Sequence, residues 1–398
     1  MAAPASTLTS VAYIYKTTYA SGIGEVAKRR HPLYSMMTVT GGFTGTNFTY
    51  PMRYGNPASV SGSFANAQSY VAGSKGLQFV ALRKKKYGDI TLDGESLMAC
   101  DSKGSFLDLV TLETDAVISE HVDRLAFDLY RDGSGNRGQR SSASTNVITL
   151  ADTDTARNFK INMQVIASPN ADGSSPRSGS TYVTAVSLAS GKITLNSAAG
   201  ITSFADNDYL FAIGDPGTCV EGLASLTPLT APASSESFRS VDRSVFPELL
   251  AGSRINDTST TIEENAGLGA VNVDAAGGKC DSFMLNPIRF YQVARRLGAK
   301  VEYEGAGGQA DYGFERILIH TAAGTLKCYA DPDCPTNRGY GFLSASHYYR
   351  TLGEQVHIIM DDGMPNLRQT DQDGIEARTR SMGNYIQTDT RNFFVIAI

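Results

Sequence analysis

Residues 106–130 read FLDLVTLETDAVISEHVDRLAFDLY, and this stretch has the clearest period in the chain. Its apolar side chains recur at i, i+4, i+7 and i+11, at Ile118, Val122, Leu125 and Leu129. Phe106 and Val110 extend the stripe upstream, and most acidic residues take the other face. The pattern predicts an amphipathic helix about 37 Å long, at about 1.5 Å per residue.

The residues after this helix, YRDGSGNRGQRSS at 130–142, contain a glycine run. Gly133, Gly135 and Gly138 have the G-x-G-x-x-G spacing of a dinucleotide-binding loop, with Asp152 and Asp154 near the offset of a ribose-binding acid. Such a loop must follow a strand and open a helix, because the helix N-terminus meets the pyrophosphate. Here the helix comes first, so we interpret the glycines as a helix exit.

The same run resembles the start of a calcium loop. Asp132, Ser134 and Asn136 match ligand positions one, three and five. The sixth position is Arg137 instead of Gly, and the twelfth is Ala143 instead of Glu. Without the bidentate ligand, we expect no calcium site.

Downstream, residues 139–222 change to short alternating segments with turn-like spacing. The segments are NVITL (146–150), MQVIA (163–167), TYVTAVSL (181–188), KITL (192–195) and YLFAI (209–213). Gly-, Ser- and Pro-containing stretches separate them. This pattern predicts a small all-β unit, either a barrel or a sandwich.

Upstream, residues 1–40 have no convincing period and look like an arm that packs on something else. In residues 41–95 we predict a long two-stranded loop, with Leu77–Leu82 and Tyr87–Leu92 as its strands and RKKK between them. An isolated hairpin is marginal in water, so this loop needs a partner surface.

The C-terminal half mixes both kinds of element. Residues 223–260 form a Pro- and Ser-containing connection, followed by a helix in NPIRFYQVARRLG with Asn286 as its cap, Pro287 in its first turn and Gly298 at its end. Predicted strands follow at 316–320, 325–330, 355–360 and 392–398. The fold class is therefore α+β.

Charge is divided unevenly along the 398 residues. Residues 1–95 hold ten Lys/Arg and four Asp/Glu, a net charge of +6, so the remainder carries −11 of the total −5. A basic arm can bind nucleic acid or the acidic surface of another copy. The basic run Arg83–Lys86 lacks interleaved aromatic residues, which favours an acidic protein surface.

Composition excludes several classes of protein. The five cysteines are scattered and odd in number, which does not indicate a disulfide framework. We find no signal peptide and no apolar stretch near the roughly 20 residues that span a bilayer. A soluble protein with reduced thiols, folded in the cytoplasm, is the expected class.

Two acidic clusters are candidate sites. Cys328 and Cys334 enclose Asp331 and Asp333, but a zinc site needs a second close pair, and only the fold could recruit His320 or His347. YADPDCP therefore predicts a turn. Asp361 and Asp362 lie in DDGMP, also typical of a turn. The sequence contains neither G-x-S-x-G nor H-E-x-x-H, so we predict no enzyme, catalytic residue, metal or cofactor.

Taken together, these segments resemble the major capsid proteins of tailed phages, with the fold named after phage Hong Kong 97. The matching segments are FRSVDRS (238–244), LLAG (249–252), CDSFMLNPIRFYQVARRLG (280–298), IHTAAGTLKCYADPDCPTNRGYGF (319–342) and NFFVIAI (392–398). YGNPAS with GSF (54–64) and FVALRKKKYGDITLDGE (79–95) resemble the extended loop of the family.

The resemblance implies a Hong Kong 97-type capsid fold with an inserted small all-β subdomain. It implies an N-terminal arm (1–40), an extended β-hairpin loop (41–95), a peripheral domain with a long spine helix (96–138), an inserted β-subdomain (139–222), a peripheral connection (223–260), an axial α/β domain (261–345) and a return through the peripheral domain to the C-terminal strand (346–398).

The implied function is structural. Copies of the chain would form hexamers and pentamers that close an icosahedral virion shell around packaged double-stranded DNA, assembled in the host cytoplasm. Partners would include a portal at one vertex and a separate scaffold, while a decoration protein is left open. DNA would be enclosed with weak non-specific contact, and no membrane would be involved.

The candidate inter-subunit contacts are basic residues and one tyrosine: Lys28, Arg29, Arg30, Arg83, Lys84, Lys85, Lys86 and Tyr87. Two rival functions stay open at this point. A β-rich decoration or tail protein would suit the all-β unit, and a nucleotide-binding enzyme would suit the glycine run.

Overall fold

The structure, a computed structural model, is built from two six-stranded sheets, a closed barrel, two-stranded ribbons and a long helix. It describes residues 31–57, 59–69, 73–100, 109–297, 316–360, 367–369 and 372–398. In these ranges the helices are α1 (Pro32–Met36), α2 (Phe64–Ser69), α3 (Gly94–Cys100), α4 (Leu109–Asp128), α5 (Leu223–Leu226), α6 (Pro247–Leu250), α7 (Ile262–Ala275) and α8 (Pro287–Leu297).

The strands occur in the following order. They are β1 (Thr38–Thr40), β2 (Asn47–Gly55), β3 (Lys75–Leu82), β4 (Lys84–Asp93), β5 (Asn136–Ser144), β6 (Val147–Leu150), β7 (Gln164–Ser168), β8 (Thr181–Ser187), β9 (Lys192–Leu195), β10 (Tyr209–Ala212), β11 (Ser237–Phe238), β12 (Val241–Asp242), β13 (Ser253–Ile255), β14 (Ser282–Leu285), β15 (Arg316–Thr321), β16 (Gly324–Ala330), β17 (Arg338–Phe342), β18 (His347–Thr351), β19 (His357–Ile358), β20 (Leu367–Arg368), β21 (Gly374–Gln387) and β22 (Phe393–Ala397).

The predicted long helix is present as α4. Leu125 and Leu129, at the end of the predicted stripe, are 6% and 0% exposed and join the main core with Met284 and Val395. The helix ends at Asp128, and the first three residues of the predicted helix, 106–108, lie outside the described residues. The helix therefore lies between the strands β4 and β21 and the core.

The glycine run is a helix exit, as predicted. Gly133 and Gly135 have φ of 86° and 83°, values in the left-handed region that glycine adopts without steric cost. Gly138 already belongs to strand β5. The order helix, glycines, strand is the reverse of a dinucleotide-binding loop.

Strands β5 to β10 form a closed barrel in the order β10-β5-β6-β9-β8-β7. The five predicted segments supply β6, β7, β8, β9 and β10. Its interior has a core of its own, in which Ile148, Val183, Ile193 and Leu195 are fully buried. The small all-β unit predicted from the sequence is therefore a barrel.

The second six-stranded sheet has the order β13-β22-β17-β14-β16-β15, in which the C-terminal strand β22 lies next to the edge strand β13. Successive residues alternate between its faces, so Met284 enters the main core while Phe283 packs on the side of α7 and α8. Asn286 caps α8 as predicted, because its side-chain oxygen accepts a hydrogen bond of 3.1 Å from the Ile288 amide. This sheet with α7 and α8 is an α/β unit.

The predicted pairing of the extended loop is wrong. Leu77–Leu82 and Tyr87–Leu92 both lie in strands, but these strands do not pair with each other. Strand β3 pairs with β2, whereas β4 pairs antiparallel with β21 from Lys84↔Gly383 to Asp93↔Gly374. The chain changes sheets at Arg83, because the single residue between β3 and β4 is too short for the two-residue loop that a hairpin needs.

Residues 31–40 of the predicted arm pack on the body of their own chain. Leu33 and Met37 are 1% and 5% exposed and belong to the main core, and β1 pairs in parallel with β18. Residues 1–30 lie outside the described residues. Of the predicted strand 355–360, only His357–Ile358 is a strand. Within the described ranges, no helix is both long and apolar enough to cross a membrane.

Candidate assembly surfaces

The hairpin β2–β3 is apolar and buried at one end, and apolar and exposed at the other. Its strands pair from Asn47↔Leu82 to Gly55↔Lys75. Beyond that pair, Val60 is 94% exposed and Phe64, the first residue of α2, is 81% exposed. Exposed apolar side chains of this size at a hairpin end are suited to a contact with another molecule.

The root of this hairpin is fixed by a small cluster. Tyr50 and Phe79 stack with ring centroids 5.4 Å apart, and both pack with Leu250 and Ile386. The Arg239 guanidinium donates hydrogen bonds to the Tyr50 hydroxyl (2.9 Å), to Glu221 (2.7 Å) and to the Tyr385 carbonyl (2.8 Å). The root is therefore held rigidly against the sheet that contains β21.

FRSVDRS (238–244), a segment that carries the resemblance, is the two-stranded turn β11–β12. Arg239 and Ser240 have positive φ of 50° and 67°, which is uncommon for residues other than glycine. Arg243 donates to the carbonyls of Ser225 and Leu226 and lies 4.2 Å from the Phe238 ring centroid. Both arginines are thus structural, and the motif serves the hairpin root.

The basic run Arg83–Tyr87 is split between two faces of β4. Lys85 and Tyr87 point to the exposed face, whereas Lys86 points inward, as the alternation of a strand requires. Arg83 donates to the Gly45 carbonyl (2.6 Å) and Lys84 to the Gly217 carbonyl (3.1 Å). The other candidate contacts, Lys28, Arg29 and Arg30, lie outside the described residues.

Lys86 belongs to an ion-pair network that joins β4, α4 and the barrel. Its ammonium lies 2.6 Å from Asp128 and 3.8 Å from Asp215. Asp215 also pairs with Arg137 at 3.0 Å and with Arg124 at 3.6 Å. Burial alone would lower the pKa of Lys86, but the Asp128, Cys219 and Asp215 groups raise it above its ordinary value. The barrel is therefore attached to helix α4 by charges at its entry and exit.

A second charged cluster holds residue 31 on the body. The His31 ring lies 2.5 Å from Asp123 on α4 and 2.6 Å from Asp333. Burial would lower the pKa of His31, but the hydrogen bonds to both carboxylates raise it to about 9. At neutral pH the ring is therefore a cation, and both of its N–H groups donate.

The turn YADPDCP (329–335) adds Asp331 and Asp333 to this cluster, which we call the histidine clamp. The sequence alone did not predict it. Asp331 accepts hydrogen bonds from the Leu33 amide (3.1 Å) and the Tyr130 hydroxyl (2.8 Å). Burial, together with the Asp333 charge, raises the pKa of Asp331 to about 6. The D-x-D spacing was a usable signal, because two acids in one tight turn after a buried strand need cationic or N–H partners.

The acidic and cysteine clusters of the sequence do not form a metal site in the part of the chain that the structure describes. In those ranges, no group of three or more His, Cys, Asp or Glu side chains is arranged to hold a metal ion. Cys328 and Cys334 are buried, free thiols whose pKa values burial raises. Asp361 and Asp362 lie outside the described residues.

Comparisons with known proteins place this architecture. No protein-family model and no curated protein matches the chain. Among solved structures, the cyanophage A-1(L) capsid matches with a TM-score of 0.55 and 11% identity over 96% of each chain. The capsid of a native GTA particle matches with a TM-score of 0.50 and 10% identity, over 97% of this chain and 96% of that one.

A further match is the holo-SrpI encapsulin complex from Synechococcus elongatus PCC 7942, with a TM-score of 0.50 and 7% identity over 97% of this chain and 94% of that one. At these identities the matches define the fold. It is the fold of proteins found in capsids and in an encapsulin complex. More particularly, the chain has a capsid-protein fold, which is consistent with the Hong Kong 97 type that the resemblance in the sequence implies.

Proposed function

We propose that the chain is the major capsid protein of a tailed bacteriophage. Copies would assemble as hexamers and pentamers into an icosahedral shell around packaged double-stranded DNA. The observation that carries this proposal is the match to a cyanophage capsid over 96% of both chains, a match to the whole fold of a shell protein. The sequence segments of the tailed-phage resemblance favour the phage among shells of this fold.

The hairpin supports the proposal because a monomer leaves its end unburied. Val60 and Phe64 together present two large apolar side chains to water. The extended loop of a capsid protein lies over an adjacent subunit, and burying these side chains there would stabilise the contact by about 1.5–3 kcal/mol each. The proposed loop at 41–95 therefore reduces to the part that precedes β4, because β4 pairs with β21 in the body.

Within the basic run, Lys85 and Tyr87 are the best placed for contact with a neighbour. Both lie on the exposed face of β4, and Tyr87 is 62% exposed. They border a cleft of about 700 Å³ between β4, α4 and the barrel exit, which is also lined by Val117 and Ile213. We also propose Lys28, Arg29 and Arg30 as contacts with a neighbour. Their only support is the sequence, in which residues 1–95 are basic and the remainder is acidic.

The barrel would be an insertion into the shell fold and would face outward, because an inward position would compete with packaged DNA. A portal, a separate scaffold and a decoration protein would be partners at assembly. The negative charge of the segments after residue 95 would keep contact with the packaged DNA weak. The support for these assignments is the resemblance of the sequence to tailed-phage capsid proteins, together with the capsid-protein fold.

The proposal is tested by electron microscopy of the purified chain, expressed with and without neighbouring phage genes. We expect closed shells or capsomer rings in negative stain, and nuclease-protected DNA in particles made with the full phage complement. Monomers under both conditions would contradict the proposal.

A second candidate is a shell that does not package a genome. The SrpI encapsulin matches with the same TM-score as the GTA capsid, so the fold alone does not separate the two. Closed shells that form without any other phage gene, and never contain nuclease-protected DNA, would favour this candidate.

A further inference from the structure

Two helices of the α/β unit leave one face each exposed. Helices α7 and α8 pack their inner residues into a common core with Phe283 and Phe394. Their outer apolar side chains stay in solvent: Leu268 (50% exposed), Val271 (38%), Ile288 (38%) and Tyr291 (66%). Neither face therefore covers the other within one chain.

The two helices carry opposite charge, and each exposes one of its charged residues in line with its apolar side chains, Glu264 on α7 and Arg295 on α8. Helix α7 reads IEENAGLGAVNVDA and contains three acids, Glu263, Glu264 and Asp274, with no Lys or Arg. Helix α8 reads PIRFYQVARRL and contains three bases, Arg289, Arg295 and Arg296, with no Asp or Glu. A contact between one face and the other is attractive, while a contact between two copies of the same face is repulsive.

The spacing of the exposed residues on the two helices also matches. From Glu264, α7 reaches Leu268 after four residues and Val271 after three more. From Arg295, α8 reaches Tyr291 and then Ile288 by the same steps in the reverse direction. Each four-residue step is a rise of about 6 Å and each three-residue step about 4.5 Å. An antiparallel pair of these helices sets charge opposite charge and apolar opposite apolar.

We infer that the outer face of α7 on one copy packs antiparallel against the outer face of α8 on the next copy. Glu264 then lies opposite Arg295, Leu268 opposite Tyr291, and Val271 opposite Ile288. Because the two faces differ, the contact is head-to-tail, and repetition around an axis closes a ring. The inference rests on the proposed function and identifies the contact that closes its hexamers and pentamers.

Cysteine crosslinking of the full-length chain tests this contact directly. The double variant Leu268→Cys/Tyr291→Cys is assembled, oxidised and run on a non-reducing denaturing gel. We expect a ladder of covalent oligomers that ends at the ring size, because each subunit links to both neighbours. The variants are made in a Cys100→Ser/Cys280→Ser background, because Cys280 is a half-buried free thiol. In this background each single variant and the chain without an added cysteine should stay monomeric, since the remaining Cys219, Cys328 and Cys334 are buried.

Charge reversal supplies an independent measurement. Arg295→Glu should reduce the yield of assembled particles by about tenfold or more, because it faces Glu264 with a like charge. Lys192→Glu, at an exposed position on barrel strand β9, is the matched control and should assemble normally. Both substitutions are at exposed positions, so the subunit should unfold at its usual temperature.

Each outcome has a separate meaning. Wild-type shells without a crosslinked ladder, together with normal assembly of Arg295→Glu, would overturn this contact and leave the proposed function standing. Covalent dimers from Leu268→Cys alone would overturn it in favour of a two-fold contact between like faces. A wild-type chain that never assembles would overturn both proposals.

Discussion

The barrel and the hairpin are both antiparallel β units, but only the barrel pairs all of its strand edges and buries its own apolar side chains. The six strands of the barrel close, which removes their edges, and Ile193 and Leu195 are fully buried inside it. The hairpin has two strands, a buried root at Phe79 and an end at Phe64 that is 81% exposed. The barrel is thus stabilised from within, while the hairpin depends on the body at one end and, we propose, on a neighbour at the other.

The largest expected effect comes from the charge that links these regions. Lys86 lies in the strand that follows the hairpin and pairs with Asp128 on α4 and Asp215 at the barrel exit. Lys86→Glu would leave the buried Asp128 carboxylate without its cation, leave Asp215 paired only with Arg137 and Arg124, and add a third carboxylate beside them. We expect a loss of about 4–5 kcal/mol in the free energy of unfolding of the subunit, measured by urea denaturation.

The neighbouring residue provides the matched control. Lys85 is on the opposite face of the same strand and is exposed. Lys85→Glu should change subunit stability by less than about 0.5 kcal/mol but lower the yield of shells. Equal destabilisation by both substitutions would show that the two faces of β4 are not distinct.

The hairpin root should be nearly as sensitive. Phe79 is 1% exposed and stacks on Tyr50. Phe79→Ala leaves a cavity among Tyr50, Leu250 and Ile386, and we expect it to cost about 3–4 kcal/mol. Thermal unfolding of the unassembled subunit is the measurement, and an unchanged midpoint would mean that the hairpin is not anchored there.

The barrel should respond as a unit of its own. Leu195 is fully buried in its interior, so Leu195→Ala should cost about 3 kcal/mol. Because the barrel has a separate core, we expect hydrogen exchange to rise throughout β5–β10 and to stay unchanged in β2–β3. Leu188→Ala, at a position 55% exposed in the same barrel, is the control. Faster exchange in both units would contradict the proposed independence of the barrel.

The histidine clamp predicts a dependence on pH. The pKa of His31 rises from 6.5 to about 9 on folding, so its stabilisation is complete below pH 6.5 and is lost as the pH rises through about 9. Allowing for solvent relaxation, we expect about 2 kcal/mol. Denaturation of wild type and His31→Gln at several pH values measures it, and their difference should vanish at high pH.

On the acid side the clamp should persist. Burial would raise the pKa of Asp123, but the hydrogen bonds from His31 and Lys160 lower it. The stabilisation from Asp123 is therefore present above pH 3.8. It is lost only as the pH falls through the lowered pKa that Asp123 has in the folded chain. Glu120, which also pairs with Lys160, faces the same cluster. A wild-type advantage that grows above pH 9 would contradict the assignment of His31 as the titrating cation.

Local elements were predictable from the sequence because their signals are local. The stripe of α4 and the alternation of β6–β10 depend on residues a few positions apart. Strand β21 reads GIEARTRSMGNYIQ, and its charged residues interrupt the apolar alternation that would have predicted a strand. In the structure it pairs with four other strands. Partners such as β4 and β21 are nearly 300 residues apart, so no local pattern could have corrected the predicted hairpin.

The candidate contacts were harder to predict, because a charged residue looks the same whether it is exposed or paired inside. Lys85 and Lys86 are adjacent and identical in type, yet one is exposed and the other holds Asp128. Asp123 and Asp128 lie on the helix face that the sequence assigned to solvent, and both are buried. Only the packing of β4 and the barrel against α4 distinguishes these cases.

The smallest effect on the subunit should come from the hairpin end. Phe64 is 81% exposed in the single chain, so Phe64→Ser removes almost no buried surface, and the free energy of unfolding should change by less than about 0.5 kcal/mol. Assembly should nevertheless fail or slow strongly, because the side chain that the neighbour would bury is gone. Light scattering of assembling subunits measures this, with Ser63→Ala as the adjacent control. Normal assembly of Phe64→Ser would show that the exposed end of the hairpin is not an assembly contact. The hairpin would then, like the barrel, need no neighbouring subunit.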